Sequence, residues 1–265
     1  MVIMTDSTLT LTVDSIRDYQ VCELYYDYKY LKDEKTPIYG RELLAQRFEN
    51  TLRKVAAFFF YKRQAGVTPS YNALLNRWEK LWFPKDMDAY DLAIEQHESV
   101  HGNYSSYSNV ATAALLQFYE DFIDDPGVPL LIDEYYLVTL DQGVRLEGRF
   151  DLVLRHRDAH KIIVWSARQK RPSLGHYALD FAAQRLAFEY RNETKRNAEY
   201  YLYDLASTRP GLINIDVPEV DLDALVYWAK TIQSSETYVP RRGFTSYCRG
   251  CPFDKPCSRW NEWPK

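Results

Sequence analysis

The chain has 265 residues, 46% of them hydrophobic, and a formal net charge of -4 at neutral pH. That is enough apolar material for one large core or two small ones, and it argues against a protein coated in positive charge, though a basic groove can sit on an acidic body. No apolar run approaches the roughly 20 residues that span a bilayer as a helix, so no membrane partner is expected.

The opening Met1-Val2-Ile3-Met4-Thr5-Asp6 has neither the basic nor the apolar region of a secretory signal. A cytoplasmic location, or a place in an intracellularly assembled particle, is the expectation, and a reducing compartment disfavours disulfides. From Thr12 a helical period runs to about Leu31 through Ile16, Tyr19, Cys22 and Tyr26, with Asp14 or Ser15 as expected N-cap. Pro37 and Gly40 mark a break. A second helix is predicted from Gly40 to about Gln64, burying Leu43, Leu44, Phe48, Leu52, Val55 and Phe59. A third follows the Gly66–Ser70 turn and runs through Trp82. Asp88 to about Asp124 reads mostly as helix, with a break expected near Gly102-Asn103.

The period then changes to two. Leu131–Leu140, Val144–Arg155 and Lys161–Arg168 read as strands, with turns at Asp141-Gln142-Gly143 and Arg157-Asp158-Ala159. A helix from about Tyr177 to Asn192, strands Glu199–Leu205 and Leu212–Ile215, and a helix capped by Asp221 to about Ser234 complete the pattern. This is an α/β fold class: a helical section over 12–125, an α/β core over 130–235 and a cysteine-rich tail over 236–265, all within one domain.

The tail holds Cys248, Cys251 and Cys257 as C-x2-C-x5-C, and the fourth cysteine, Cys22, lies near the other end. A C-x2-C pair with a third Cys shortly after is metal-ligand spacing, whereas Cys22 taken alone reads as a small buried hydrophobe. A turn around Cys248 and Cys251 places two sulfurs on one ion, and Pro252 and Pro256 stiffen the loop that brings in Cys257. Four thiolates hold one metal ion or one iron–sulfur cluster.

With Asp14-Ser15-Ile16-Arg17-Asp18-Tyr19-Gln20-Val21-Cys22 before the core, the three tail cysteines after it and Gly148-Arg149-Phe150-Asp151 on the second strand, the chain resembles the iron–sulfur branch of the PD-(D/E)XK nucleases. That branch includes RecB-like exonucleases and CRISPR-associated adaptation nucleases. The resemblance implies a restriction-endonuclease-like core, a mixed central sheet flanked by helices, and a 4Fe-4S cluster on Cys22, Cys248, Cys251 and Cys257, with zinc as the alternative. It also implies an active site of an early-helix His, an Asp after a Gly, an Asp/Glu-x-Lys on the third strand and a helix Gln. There two carboxylates bind Mg²⁺ or Mn²⁺, and the metal activates a water.

Asp151 matches the first carboxylate and Gln184 the helix Gln. The third strand puts Ser166 at the second carboxylate and Arg168 at the Lys, and nothing between Ile162 and Arg168 is acidic. Ser brings no negative charge, and Arg does not deprotonate near neutral pH. Leu44 falls at the His position, with His97 and His101 as nearby candidates. The expectation is therefore a degenerate nuclease acting as a DNA-binding or complex-assembly subunit. Arg168, Lys170 and Arg171 would face a phosphate backbone, and Trp260 and Trp263 would dock a protein partner. The alternatives are a working exonuclease that borrows Glu134 or Glu147 and uses Mg²⁺ or Mn²⁺, and a structural assembly protein that reuses the fold.

Overall fold

The computed structural model describes residues 8–33, 40–82, 98–141, 143–157, 159–167, 174–191, 197–206, 211–240, 248, 251–253, 256 and 257. In chain order they form β1 (Leu9–Leu11), α1 (Val13–Val21), α2 (Glu23–Tyr26) running into a π turn (Asp27–Leu31), α3 (Gly40–Gln64), α4 (Tyr71–Trp82) and α5 (Glu98–Phe122). Then come β2 (Val128–Asp141), β3 (Val144–His156), β4 (Ala159–Ser166), a 3-10 turn (Leu174–Tyr177), α6 (Ala178–Arg191), β5 (Asn197–Asp204), β6 (Leu212–Ile215) and α7 (Glu219–Ser234). The fold is α/β, with a mixed sheet in the order β1-β3-β4-β5-β6 and β2 paired on β3. β3 runs antiparallel to β4, β4 parallel to β5 and β5 antiparallel to β6.

The chain divides into two compact units. The first takes 1–37, 137–148 and 218–265; the second takes 38–136 and 149–217. β2 and β3 each contribute one part to each unit.

In the second unit the side-chain alternation of β4 and β5 sends residues to two covered faces. On one face Trp165 stacks on Phe60 at 6.3 Å, and Tyr203 meets Phe118 at 6.0 Å and Phe122 at 5.2 Å. α3 and α5 therefore cover that side. On the other, His160 lies 5.2 Å from Phe188 and Tyr200 lies 6.4 Å from Phe181, which places α6 there. Double coverage is why Phe150–Leu154 and Ile162–Ala167 read as unbroken buried runs rather than half-exposed strands. α4 joins the apolar cluster through Leu74, Trp78 and Trp82.

In the first unit, α1 packs by Tyr19, whose ring stands edge-on to Tyr26 at 5.6 Å and whose hydroxyl is 2.9 Å from Ser235 Oγ after α7. The N-cap of α1 is Thr12, not Asp14 or Ser15. Its hydroxyl accepts from Ser15 N–H, and the Ser15 hydroxyl accepts from Thr12 N–H, both at 3.0 Å. The cap fell two residues early because the Ser15 hydroxyl turns back to serve the box. Thr12→Ala removes one half of that exchange. It is expected to cost about 1 kcal/mol, read as a shift of the urea midpoint.

Other expectations are corrected too. The first helix does not run unbroken to Leu31; Cys22 sits extended at φ -164°, ψ 116° between α1 and α2. α5 passes through Gly102-Asn103 without a break, since a helix long enough to keep its other hydrogen bonds absorbs one Gly. α7 begins after Pro218, and Asp221 lies in its first turn. β2 starts three residues earlier than expected, and β4 spans Ala159–Ser166, so the expected end of that strand at Arg168 lies outside the described residues. β1, three residues long, was too short to announce itself by alternation.

Candidate functional site

Asp151 arrives on β3, 5% exposed, beside the end of β4. Its carboxylate is held on both oxygens. Arg53 Nη1 donates to Oδ1 at 2.5 Å, and the Trp165 N–H donates to Oδ2 at 2.9 Å. Arg53 comes from the middle of α3. Its Nη2 also donates to Glu49 Oε1 at 3.1 Å, one turn earlier, and to the Trp165 carbonyl at 2.5 Å. Burial works against the Arg53 charge, but the Asp151 and Glu49 carboxylates outweigh it and hold the guanidinium more firmly protonated than usual. The result is a cation clasped by two acids and a strand carbonyl.

Ser166, at the expected second-carboxylate position, is 1% exposed, and its hydroxyl accepts from Tyr177 O–H at 2.5 Å. Next to it across the parallel pair is Asp204, 6% exposed, which accepts from the Ala206 N–H at 3.2 Å. Gln184 is 4% exposed; its Nε2 donates to the Arg149 carbonyl at 3.4 Å, while its Oε1 is buried without a hydrogen-bond partner. Tyr136 is pushed above its ordinary range by burial, then by the Asp180 and Asp151 carboxylates, so Asp180 on α6 also lies within electrostatic reach. Leu44, at the expected His position, is fully buried in the apolar cluster.

The structure thus brings Asp151, Ser166 and Gln184 into the second unit's core. Arg168, Lys170, Arg171, His97, Trp260 and Trp263 lie outside the described residues, as does the side chain of His101. Of the borrowed carboxylates, Glu134 is exposed and taken by Arg191 at 2.7 Å, and Glu147 is exposed on β3. Sequence reading missed Arg53 and Glu49. The signal was available: Glu49, Arg53, Ala56 and Phe60 form one helical stripe, and its last two members are buried.

All four cysteines fall in the first unit, each partly buried and none in a disulfide. The Cys251 N–H donates to the Cys248 carbonyl and the Cys257 N–H to the Phe253 carbonyl, each at 3.2 Å. The tail is pinned to the Cys22 segment. Tyr28 O–H donates to the Pro256 carbonyl at 3.0 Å, Phe253 is buried against Tyr25 at 5.2 Å and Tyr28 at 5.3 Å, and the Leu24 N–H donates to the Val239 carbonyl. Burial pushes the Cys251 thiol up. Cys22, Cys257 and Cys248 each push it further, and the one opposing influence is a backbone hydrogen bond with Phe253. Cys22, Cys257 and Cys248 thus all lie within electrostatic reach of Cys251, and thiols are soft donors of the type a thiophilic metal takes. Among the described residues no three His, Cys, Asp or Glu side chains are arranged to hold a metal ion. No described helix is long and apolar enough to cross a membrane.

No protein-family model matches the chain, and no curated protein matches it. Among solved structures it is similar to the crystal structure of SSO0001, at 14% identity and a TM-score of 0.43 over 94% of this chain and 86% of that one. It is also similar to the crystal structure of a putative exonuclease from Eubacterium rectale, at 11% identity and a TM-score of 0.41 over 92% and 88%.

Proposed function

We propose that the chain is a PD-(D/E)XK nuclease-like protein whose hydrolytic centre has been replaced by a fixed ion pair, and that it holds nucleic acid or a protein complex instead of cutting. The observation that carries this reading is the double commitment of Asp151 to Arg53 and to the Trp165 N–H. Metal-dependent phosphodiester hydrolysis needs carboxylate oxygens open to a divalent cation, which lowers the pKa of a bound water and neutralises charge on the phosphate. A guanidinium supplies charge but no open coordination position. Ser166 adds no acid, and its hydroxyl is already engaged by Tyr177. Gln184 is then a vestige of the former site.

Cys22, Cys248, Cys251 and Cys257 would hold a 4Fe-4S cluster, or zinc in its place. Bound there, either would act as a crosslink between distant parts of the chain. The donor chemistry and the pinning of the tail by Tyr25 and Tyr28 support this ligand set.

The test is a cleavage assay on single- and double-stranded DNA with Mg²⁺ and with Mn²⁺. The expected result is no cleavage above background, identical for the native chain and for Asp151→Ala. Cleavage by the native chain that disappears in Asp151→Ala would overturn the reading, because it would mean that the acid still serves a metal.

A further inference from the structure

Phe253 joins the two stretches of chain that carry the thiols. Cys22 stands at the head of α2, and its carbonyl accepts from the Tyr26 N–H at 3.1 Å, which ties it to the turn that follows. Tyr25 and Tyr28 come three and six residues later, at a spacing that puts them on one side of that helical run. Phe253 lies in the tail between Cys251 and Cys257 and is 3% exposed. Its ring meets Tyr25 edge-on at 5.2 Å and Tyr28 at 5.3 Å.

The backbone of the same residue serves the tail. Its N–H donates to the Cys251 thiol, and its carbonyl accepts from the Cys257 N–H at 3.2 Å. Cys251 in turn donates its N–H to the Cys248 carbonyl. A shift of the Phe253 ring therefore moves the tail sulfurs relative to Cys22. The two stretches are distant in the chain, so holding them side by side costs loop entropy, and a buried ring is a contact able to offset it.

We propose that Phe253 is the positioning residue of the thiol centre. Its ring, seated between Tyr25 and Tyr28, keeps Cys248, Cys251 and Cys257 in register with Cys22. Phe253 supplies no ligand atom; it acts through the cysteines, as partners behind metal ligands do. Without the ring the tail keeps its own C-x2-C turn and still offers three sulfurs, but Cys22 no longer arrives with them. This role rests on the four-thiol reading above, whichever metal is bound.

The experiment titrates Co²⁺ into the full chain, kept reduced and freed of its own metal. The Co²⁺ absorption spectrum reports the number and geometry of thiolate ligands. The native chain is compared with Phe253→Ala, Phe253→Leu and Cys22→Ser. The native chain is expected to give a tetrahedral four-thiolate spectrum. Phe253→Ala is expected to bind about 10–100-fold more weakly and, at saturation, to show the three-thiolate spectrum of Cys22→Ser. Phe253→Leu, which refills the seat, restores the native spectrum. Native affinity in Phe253→Ala overturns the role and leaves the four-thiol site standing. So does weaker binding with an unchanged four-thiolate spectrum at saturation, which is what a merely weakened fold gives. A native chain that binds no Co²⁺ through thiolates overturns the site and this role together. If circular dichroism shows Phe253→Ala unfolded even at saturation, Tyr25→Leu, which opens one wall of the seat, is read by the same criteria.

Discussion

Arg53→Met is expected to lower the unfolding free energy by about 3–5 kcal/mol, the cost of leaving one member of a buried ion pair without its partner. Asp151 is 5% exposed and would keep only the Trp165 N–H as a strong donor. For a chain of this size the loss corresponds to roughly 6–20 °C in thermal midpoint. Adding Asp151→Asn should recover most of it, because Asn removes the stranded charge and keeps an oxygen for the Trp165 N–H. A second readout separates the functional reading from simple destabilisation. With the guanidinium gone, Asp151 and Glu49 face each other across an emptied cation position, so millimolar Mn²⁺ should raise the midpoint of Arg53→Met and not that of the native chain. If Mn²⁺ stabilises the native chain equally, Arg53 does not stand where a metal would.

The second large effect is expected from Cys22→Ser. Protein purified without oxygen should be brown, with broad absorption near about 400 nm, and should contain iron and acid-labile sulfide; the variant should lose both. Cys22 and Cys248 close a loop of roughly 225 residues. A crosslink over that length removes on the order of 5 kcal/mol of chain entropy from the unfolded state, so Cys22→Ser or chelation should unfold the first unit at much lower urea. A colourless native chain carrying one zinc would replace the cluster by zinc and keep the four-ligand site. A native chain with neither metal, and a Cys22→Ser variant of unchanged stability, would remove the site altogether.

How far the sequence foretold all this depends on which physical signal each element carries. α3 was legible to its ends, Gly40 and Gln64, because a long helix with a wide apolar stripe has a strong period. The hairpin strands were legible because Gly143 at φ +78° and Arg157 at φ +44° sit where turn residues were expected. Asp151, Ser166 and Gln184 were singled out through their neighbours in sequence, and the structure buries all three in the second unit. The cation that holds Asp151 was invisible. Arg53 lies about a hundred residues from Asp151, and no local pattern says that a basic residue on the margin of a buried stripe will turn inward to meet a strand acid. The break at Cys22 was hidden for a related reason: Ile16, Tyr19 and Tyr26 hold helical spacing on both sides of a single extended residue, so the period survives an interruption that the backbone does not.

The division of the chain has a consequence for its birth on the ribosome. The first unit is assembled from an early segment, a short middle piece of the β2–β3 hairpin and everything from Pro218 onward. Once Ile16 and Tyr19 have left the exit tunnel, α7 and Tyr238 do not yet exist to cover them. At ordinary elongation rates that wait lasts on the order of tens of seconds. The second unit, made of nearer stretches, can condense first. Nascent chains stalled before Pro218 should therefore carry a folded second unit and a sticky leading helix, the kind of half-made species that molecular chaperones collect.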